Sequence, residues 1–367
     1  MTTIAIDARK LLDFGIGTYL RGLLRGLAAI DAETRYVLLG EPSHAAALGA
    51  MPDNFDWARE RSPGYSVREL WSVSQSVRRL GADLFHAPHY VLPLGLPCPA
   101  VVTVHDLIHL RFPEFRTPLE TGYARLTVKR ALRTARRTIA VSEATRQELV
   151  ERFGGLATRT VVVANGVDER FRRALAESEL AAALARLDLA PGYLLFVGNP
   201  KPHKNLDALL AAHTRLEARR GDVPALVLAG GERARRLRAG GGVDRLGIVA
   251  VEDLPALYRG ALALVVPSLW EGFGLPALEA MASGTPVVAA DRGGLREVVG
   301  DDALRFDPGD VEALERTLER LLDDAELRHE LARRGPLRAA SFTWQATARA
   351  TLAVYRTALA ASREAGP

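Results

Sequence analysis

The chain has 367 residues, of which 48% are hydrophobic, and its formal charge is +4 with a sequence pI near 9.4. This length suffices for two hydrophobic cores, which predicts about two domains. The single cysteine, Cys98, excludes an intrachain disulfide, and no apolar run approaches a membrane span of roughly 20 residues or a signal-peptide core, so we expect a cytoplasmic protein.

In the first half of the chain, apolar runs alternate with amphipathic segments, a pattern typical of a parallel α/β sheet. Two turns carry candidate ligand-binding residues. Gly15 and Gly17 follow the first strand, although any tight turn can use a Gly-x-Gly segment. His105 ends a later strand and either bonds a backbone carbonyl as a core histidine or contacts a ligand. The predicted strands are 3–7, 35–40, 83–86, 100–105, 138–142 and 160–164.

A polar, Ala-rich stretch from 165 to 192 is the expected domain junction, and the alternating pattern resumes beyond it. Ligands of open parallel sheets bind beyond the C-terminal ends of the strands, so we expect the ligand in the cleft between the domains. The predicted helices include 205–218 and 311–322. The predicted strands of this half are 193–198, 225–230, 246–251, 261–267, 286–290 and 304–307.

A turn after the strand that ends at Gly198 carries Lys201, His203 and Lys204 ahead of a predicted helix. An ammonium group at Lys204 could meet a diphosphate as a point charge, although a lone lysine is more often a solvated surface residue. The sequence has no Asp-x-Asp segment and no His/Cys/Glu cluster with metal-ligand spacing. We therefore expect no metal and no other cofactor.

The segment from Glu271 to Glu279 reads Glu-Gly-Phe-Gly-Leu-Pro-Ala-Leu-Glu and joins a predicted strand to a helix. Gly272 and Gly274 let backbone N–H groups approach a ligand, and the N-terminus of the following helix favours phosphate. Glu271 and Glu279 could accept hydrogen bonds from the hydroxyls of a sugar and a ribose. A tight turn with one capping glutamate would give the same short pattern.

Five segments in this order resemble the family 4 retaining glycosyltransferases: 4–19, 103–109, 141–145, 196–205 and 271–279. The resemblance implies the GT-B fold, in which two Rossmann-like, doubly wound parallel-sheet domains face a cleft. Residues 1–170 would form the acceptor domain, and residues 171–367 would form the nucleotide-sugar domain. The last helix, about 343–360, would pack back on the N-terminal domain.

The resemblance also implies the roles of individual residues. Lys204 would contact the leaving diphosphate, while His105 and Glu271 would contact the transferred sugar, so these three are the expected catalytic residues. His203 departs from the family, which more often has arginine there, and either Lys201 supplies the missing charge or the diphosphate binds less strongly. The donor-binding residues would be Gly15, Gly17, Gly198, Lys201, His203, Lys204, Glu271, Gly272, Phe273, Gly274, Leu275 and Glu279.

The implied reaction moves a hexose of mannose or glucose type from a UDP- or GDP-sugar to a glycan, lipid-linked or small-molecule hydroxyl, in polysaccharide or glycoconjugate biosynthesis. No second carboxylate is evident beside the anomeric position, as a double displacement would need. The resemblance implies front-face transfer, with Lys204 and helix N-terminal N–H groups stabilising the leaving diphosphate. A GT-B epimerase or phosphorylase, or a non-catalytic nucleotide-sugar sensor, remains an alternative.

A basic run lies between Glu120 and Glu143. Spacings of four and three predict that Arg125, Lys129, Arg133 and Arg136 share one helical face, opposite apolar positions such as Leu126. Most such faces are merely solvated. The alternative is peripheral contact with the inner face of an anionic membrane. No aromatic residues are interleaved with the charges, so we expect no nucleic-acid partner.

Overall fold

The computed structural model describes residues 1–64, 66, 68–231 and 242–364, and the chain divides into two compact units. The first unit comprises Met1–Gly166 together with Phe342–Pro367, and the second comprises Val167–Ser341. The C-terminal segment belongs to the first unit, because its helix packs there.

A parallel sheet forms the centre of the first unit and has seven strands within the described residues. The strand with mixed polarity, 55–59, lies at the edge and is only partly buried, which explains why the apolar pattern did not predict it. Two inner strands, 84–87 and 100–104, are buried along their whole length, as expected when helices cover both faces of a sheet. In sheet order the strands are β3 (Phe55–Arg59), β2 (Arg35–Gly40), β1 (Thr3–Asp7), β4 (Leu84–Ala87), β5 (Ala100–Val104), β6 (Arg137–Ala140) and β7 (Thr160–Val162).

The helices of the first unit include α1 (Ile16–Ile30), α2 (Glu69–Leu80), α3 (Ile108–Arg111), α4 (Pro118–Thr134) and α5 (Glu143–Phe153). Helix α4 begins with a capping box, in which the Thr117 hydroxyl accepts from the Glu120 N–H and the Thr117 N–H donates to the Glu120 carboxylate. The capping box fixes the point at which α4 begins.

Helix α4 corrects the expected arrangement of its basic face. Leu126 is not opposite the cations in the core but is exposed on the same side as Arg125, Lys129 and Arg133. Arg136 lies beyond the end of the helix, and its guanidinium donates to the carbonyl of Ala361. The charge pattern alone could not assign the core side, because alanine, valine and threonine supply most of the buried positions of α4.

The second unit repeats the parallel α/β arrangement. The strand expected at 246–251 is wrong, because the strand spans 243–247. Its pairing shifts register between Arg245 and Gly247, where Gly247 has a φ of +73°, and Ile248 and Val251 are exposed beyond it. In sheet order the described strands are β10 (Val243–Gly247), β9 (Leu226–Ala229), β8 (Tyr193–Val197), β11 (Ala261–Val266), β12 (Val287–Ala290) and β13 (Leu304–Phe306).

The helices of the second unit cover this sheet. The two that were predicted, 205–218 and 311–322, are confirmed to within one residue at each end. The helices are α6 (Glu177–Arg186), α7 (Leu206–Arg219), α8 (Leu254–Gly260), α9 (Leu275–Ala282), α10 (Gly293–Val299), α11 (Val311–Asp323) and α12 (Ala325–Ala339).

Each sheet contains a point at which the strand order reverses. In the second unit the reversal lies between β8 and β11, and in the first it lies between β1 and β4. Ligands of doubly wound sheets bind outside the carboxyl ends of the strands at this switch point. The loops after β8 and β11 are therefore the first place to look for a site in the second unit.

Helix α13 (Trp344–Glu364) packs against α1 within the first unit. A Cβ at Gly22 would lie 2.0 Å from Trp344 Cε2, and one at Gly26 would lie 2.4 Å from the Trp344 carbonyl oxygen. These two glycines let the helices approach closely, and Tyr355 is fully buried farther along the same interface. Helix α13 is thus part of the first unit.

Candidate functional site

The loops that follow β8 and β11 meet through an ion pair. Lys204 Nζ donates a 2.6 Å hydrogen bond to Glu271 Oε1, and both side chains are largely buried. Lys204 comes from the loop after β8 and Glu271 from the loop after β11, so the pair bridges the switch point of the second unit. A cation and a carboxylate at this place can bind an anionic group and a hydroxyl-bearing group side by side.

Backbone contacts fix the position of the Lys204 loop. The Asn205 side-chain amide donates to the carbonyls of Pro267 at 3.1 Å and Pro308 at 3.0 Å. The Leu269 N–H donates to the His203 carbonyl at 2.8 Å. These hydrogen bonds connect the loops that follow three strands, so they hold the loop that carries Lys204 in place.

Ser268 is a second partner of Glu271. The Ser268 hydroxyl donates to Glu271 Oε1 at 2.6 Å, the same oxygen that accepts from Lys204. Burial alone would raise the pKa of Glu271, but the Lys204 charge and the two hydrogen bonds lower it below its usual range. Glu271 is therefore ionised at neutral pH, and its Oε2 atom remains for hydroxyl donors.

Gly294 packs behind the glycine-rich turn after Glu271, and no sequence pattern indicated it. The Gly294 N–H donates to the Glu271 carbonyl at 2.9 Å, and a Cβ at Gly294 would lie 2.1 Å from the Gly272 carbonyl oxygen. Gly274 has a φ of +109° and precedes the first residue of α9, Leu275. The buried Phe273 lies between the two glycines of the turn, which leads directly into the N-terminus of α9.

Glu279 lies on α9 and is held by a residue outside the glutamate segment. The Tyr258 hydroxyl, on α8, donates to Glu279 Oε2 at 2.8 Å. Burial and the neighbouring carboxylate raise the pKa of Tyr258 well above its usual value, so the hydroxyl stays protonated. Glu279 is thus kept as an oriented acceptor rather than as a freely rotating surface carboxylate.

The remaining predicted residues of the second unit lie around Lys204. Gly198 directly follows β8, and a Cβ on the neighbouring Gly230 would lie 2.7 Å from the Gly198 carbonyl oxygen. His203 is buried and contributes positive charge that helps lower the pKa of Glu271, whereas Lys201 is exposed. The two candidate sources of extra positive charge beside Lys204 thus differ in burial.

The predicted residues of the first unit lie near one another at the end of β5. The ring of His105 meets that of Tyr19 edge-on, with centroids 4.9 Å apart, and Tyr19 lies on α1, which begins after Gly15 and includes Gly17. His105 Nε2 donates to the Pro88 carbonyl at 2.9 Å. Burial lowers the pKa of His105, and the Pro88 bond opposes that shift. The neutral ring therefore presents Nδ1 as a hydrogen-bond acceptor.

A buried ionic cluster occupies the switch point of the first unit. Arg9 donates to both oxygens of Asp7, at 2.9 and 2.6 Å, and to Glu69 Oε2 at 2.9 Å. His89 Nε2 lies 3.5 Å from Asp7 Oδ2. Burial would raise the pKa of Asp7, but the hydrogen bonds from Arg9 and the nearby His89 ring depress it far below its usual range. This cluster fixes the loop between β1 and α1 on which Gly15 lies.

The described residues, 1–64, 66, 68–231 and 242–364, contain no group of three or more His, Cys, Asp or Glu side chains placed to hold a metal ion. Among the same residues, no helix is both long enough and apolar enough to cross a bilayer.

Two family models match the chain and together cover most of it. The model described as "Glycosyltransferase Family 4" matches residues 15–171, and that described as "Glycosyl transferases group 1" matches residues 185–338. The gap between the two matched segments lies close to the boundary between the two units. Both candidate regions, the one around His105 and the one around Lys204 and Glu271, fall inside matched segments.

Curated relatives and a solved structure agree with these matches. The chain is 32% identical over 299 residues to O-antigen chain mannosyltransferase B of Escherichia coli, covering 79% of this chain and 77% of that protein. It is 39% identical over 259 residues to the D-inositol 3-phosphate glycosyltransferase of Salinispora arenicola, covering 62% of this chain but only 56% of that protein.

The fold is shared with Anabaena HepE, solved in complex with UDP-glucose, with a TM-score of 0.75 and 21% identity. The superposition covers 97% of this chain and 99% of HepE. The expected GT-B class, with two parallel α/β sheets, is thereby confirmed.

Proposed function

Because the chain belongs to glycosyltransferase family 4, we propose that it transfers a hexose of mannose or glucose type from a nucleoside diphosphate sugar to a saccharide hydroxyl. The observation that carries the proposal is the Lys204–Glu271 pair at the switch point of the second unit. The mannosyltransferase of E. coli and the UDP-glucose complex of HepE support the sugar class and the donor class respectively.

In the proposed donor complex, Lys204 and Glu271 bind different parts of the donor. The Lys204 ammonium faces the diphosphate, and the N-terminus of α9 adds positive potential through its backbone N–H groups. Glu271 accepts hydrogen bonds from sugar hydroxyls through Oε2, while Ser268 retains Oε1. The ion pair keeps both groups charged and in place before the donor arrives, so little reorganisation is needed on binding.

The proposed transfer proceeds on one face of the sugar. The bond from the anomeric carbon to the diphosphate oxygen breaks as the bond to the acceptor oxygen forms, and the acceptor proton passes to the departing diphosphate. Lys204 and the α9 N–H groups stabilise the negative charge that develops on the leaving group. His105 holds the transferred sugar through its Nδ1 atom, and Glu271 positions that sugar without attacking it.

Glu279 completes the donor site by binding the nucleotide. Its carboxylate, oriented by Tyr258, accepts hydrogen bonds from the ribose hydroxyls. Gly272 and Gly274 leave room for the diphosphate against the backbone, while His203 and Lys201 add positive charge at its edge. Gly198 and Leu275 line the two turns that enclose it.

The test is a panel of UDP- and GDP-hexoses with and without saccharide acceptors. We expect nucleotide release that depends on the acceptor and a product with the donor's anomeric configuration. Isomerisation of the donor sugar would indicate an epimerase, phosphate-dependent turnover a phosphorylase, and binding without turnover a sensor. Inositol phosphate belongs in the acceptor panel because the Salinispora relative is a D-inositol 3-phosphate glycosyltransferase.

Two substitutions separate the roles of the glutamates. Glu271→Gln should lower kcat about 100-fold while free nucleotide binds as before, because the lost charge acts on the sugar. Glu279→Ala should weaken nucleotide binding about tenfold. Glu326→Gln, an exposed glutamate on α12, is the matched control and should change neither quantity. Equal nucleotide affinity and full turnover in both site variants would reject this assignment.

A further inference from the structure

Helix α4 of the first unit carries an exposed apolar stripe. Leu119, Tyr123 and Leu126 follow one another at intervals of four and three residues, so they lie on one side of the helix. Their side chains are 83%, 44% and 66% exposed. The buried residues on the other side are Ala124, Thr127, Val128, Ala131 and Leu132. A contiguous exposed apolar surface of this kind marks an interaction site more often than an isolated exposed leucine does.

Three unpaired cations flank this stripe. Arg125, Lys129 and Arg133 recur every fourth residue and are exposed, and none forms an ion pair with any described residue. Lys129 and Arg133 lie within about 60° of Leu126 around the helix axis. The one carboxylate of α4, Glu120, is engaged in the capping box at the N-terminus.

Neighbouring arginines, unlike the three unpaired cations, contact acceptors on the protein. Arg130, on the same helix, donates to the carbonyls of Leu92 at 2.9 Å and Pro93 at 2.7 Å. Arg116 lies 3.8 Å from Glu120, and Arg136 is bonded to the carbonyl of Ala361. Arg125, Lys129 and Arg133 thus differ from these neighbouring arginines in forming no ion pair with the described part of the chain.

We propose that the exposed side of α4 binds the surface of an anionic phospholipid bilayer. Leu119, Tyr123 and Leu126 enter the boundary between headgroups and acyl chains, and the three cations contact lipid phosphates. A helix that lies in the plane of a membrane combines these two features, and long basic side chains reach the headgroups while their stems cover apolar surface. This surface belongs to the first unit and is separate from the Lys204–Glu271 pair, so the inference goes beyond the proposed function and does not depend on it.

Other occupants fit the surface less well. Self-association across a two-fold axis would bring the same apolar stripe, and with it the same three cations, against themselves. Nucleic acid would satisfy the cations but would leave Leu119 and Leu126 against a polar backbone. An anionic bilayer satisfies the apolar stripe and the cations together.

The test is flotation of the purified chain with vesicles of phosphatidylcholine alone and of phosphatidylcholine mixed with phosphatidylglycerol. We expect binding to the anionic vesicles to be at least about tenfold tighter, and to weaken as salt is raised. Leu119→Ser combined with Leu126→Ser should reduce that binding about tenfold or more, since an apolar contribution is lost. Arg125→Gln, Lys129→Gln and Arg133→Gln together should abolish the preference for anionic lipid.

Matched controls come from α12 of the second unit. Leu337→Ser replaces an equally exposed leucine and Arg333→Gln an exposed arginine, and neither should alter vesicle binding. Unchanged thermal unfolding of each variant would show that α4 still folds. Equal affinity for neutral and anionic vesicles, or full binding by the double serine variant, would overturn the proposal. So would a dimer in solution that Leu119→Ser dissolves, because the stripe would then be occupied by a second copy.

Discussion

Tyr258 and Glu279 form a partly buried hydroxyl–carboxylate pair with a separation of 2.8 Å, in which two different helices contribute one residue each. The Tyr258 ring also packs edge-on against Phe171, with centroids 5.7 Å apart. The tyrosine is fixed by its packing, and it in turn fixes one oxygen of the carboxylate. Tyr258 is therefore a positioning residue for Glu279.

We predict that Tyr258→Phe weakens nucleotide binding about tenfold, because a hydrogen bond that orients the charged carboxylate of Glu279 is lost. The KM for the donor should rise while kcat stays near the value of the unaltered chain. Titration calorimetry with the free nucleotide provides the measurement. Tyr193→Phe is the control, since its hydroxyl donates to the Leu257 carbonyl at 2.6 Å and contacts neither glutamate. Unchanged nucleotide affinity in Tyr258→Phe would mean that Glu279 needs no such support.

We predict that Ser268→Ala affects turnover and not nucleotide binding. The substitution removes one of the two donors to Glu271 Oε1, so the carboxylate keeps Lys204 but loses its fixed rotation. We expect kcat to fall about tenfold. Because the Ser268 bond helps to lower the pKa of Glu271, the acidic limb of the activity profile should move to higher pH. Ser283→Ala, at another buried serine of the second unit, is the control, and a profile that does not move would contradict the role of Ser268.

We predict that turnover continues in the presence of EDTA. In the proposed mechanism the charge that stabilises the leaving diphosphate comes from Lys204 and from backbone N–H groups at the start of α9, and neither is removed by a chelator. Initial rates of nucleotide release before and after chelation give the measurement. Complete loss of activity that magnesium or manganese restores would show that a divalent ion carries part of this charge.

We predict that His86 makes the first unit sensitive to mild acid. Burial lowers the pKa of His86 to about 3, so below pH 6.5 the unfolded chain binds a proton that the folded chain does not. The stability is complete above pH 6.5 and is lost as the pH falls towards 3, by about 2 kcal/mol at pH 5. His86 Nδ1 lies 2.6 Å from the Tyr355 hydroxyl of α13, which makes that helix a local probe.

The measurement is hydrogen exchange of α13 peptides in urea at pH 7 and pH 5, because a chain with two units does not unfold in a single step. In His86→Gln, the protection of α13 peptides at pH 7 and at pH 5 should differ much less than in the unaltered chain, whatever the stability of the variant at pH 7. His329→Gln, at an exposed histidine of α12, should behave as the unaltered chain does. An equal loss of protection in all three proteins would assign the acid sensitivity to other groups.

The sequence predicted the parallel sheets because inner strands such as β11 are continuous apolar runs bounded by turns. The strand predictions failed where the local hydrophobic pattern of a segment did not match its position in the fold. Strand β3 lies at a sheet edge and tolerates Asp56 and Arg59, so it lacks an apolar run. The residues after Gly247 look like a strand, but the register shift and the positive φ of that glycine turn the chain away.

The site was predictable to the extent that its residues lie within single turns. Glu271 and Lys204 stand in short segments that follow strands, and strand order then brings their loops together. Tyr258 could not be found this way, because its contact with Glu279 joins two helices through the packed interior. Ser268 had a weak local signal, since it directly follows the predicted strand 261–267 and precedes Glu271 by three residues.

The return of Phe342–Pro367 to the first unit sets an order for folding on the ribosome. Residues 1–166 emerge first, but α1 then lacks the helix that fills the groove at Gly22 and Gly26. Synthesis of Val167–Ser341 at roughly 5–20 residues per second keeps that groove open for on the order of ten to thirty seconds. The second unit, which is continuous in sequence, can complete its fold during that interval. The first unit is thus the first to be synthesised and the last to complete its packing. Its apolar groove on α1 is exposed to chaperones until Trp344 has been synthesised.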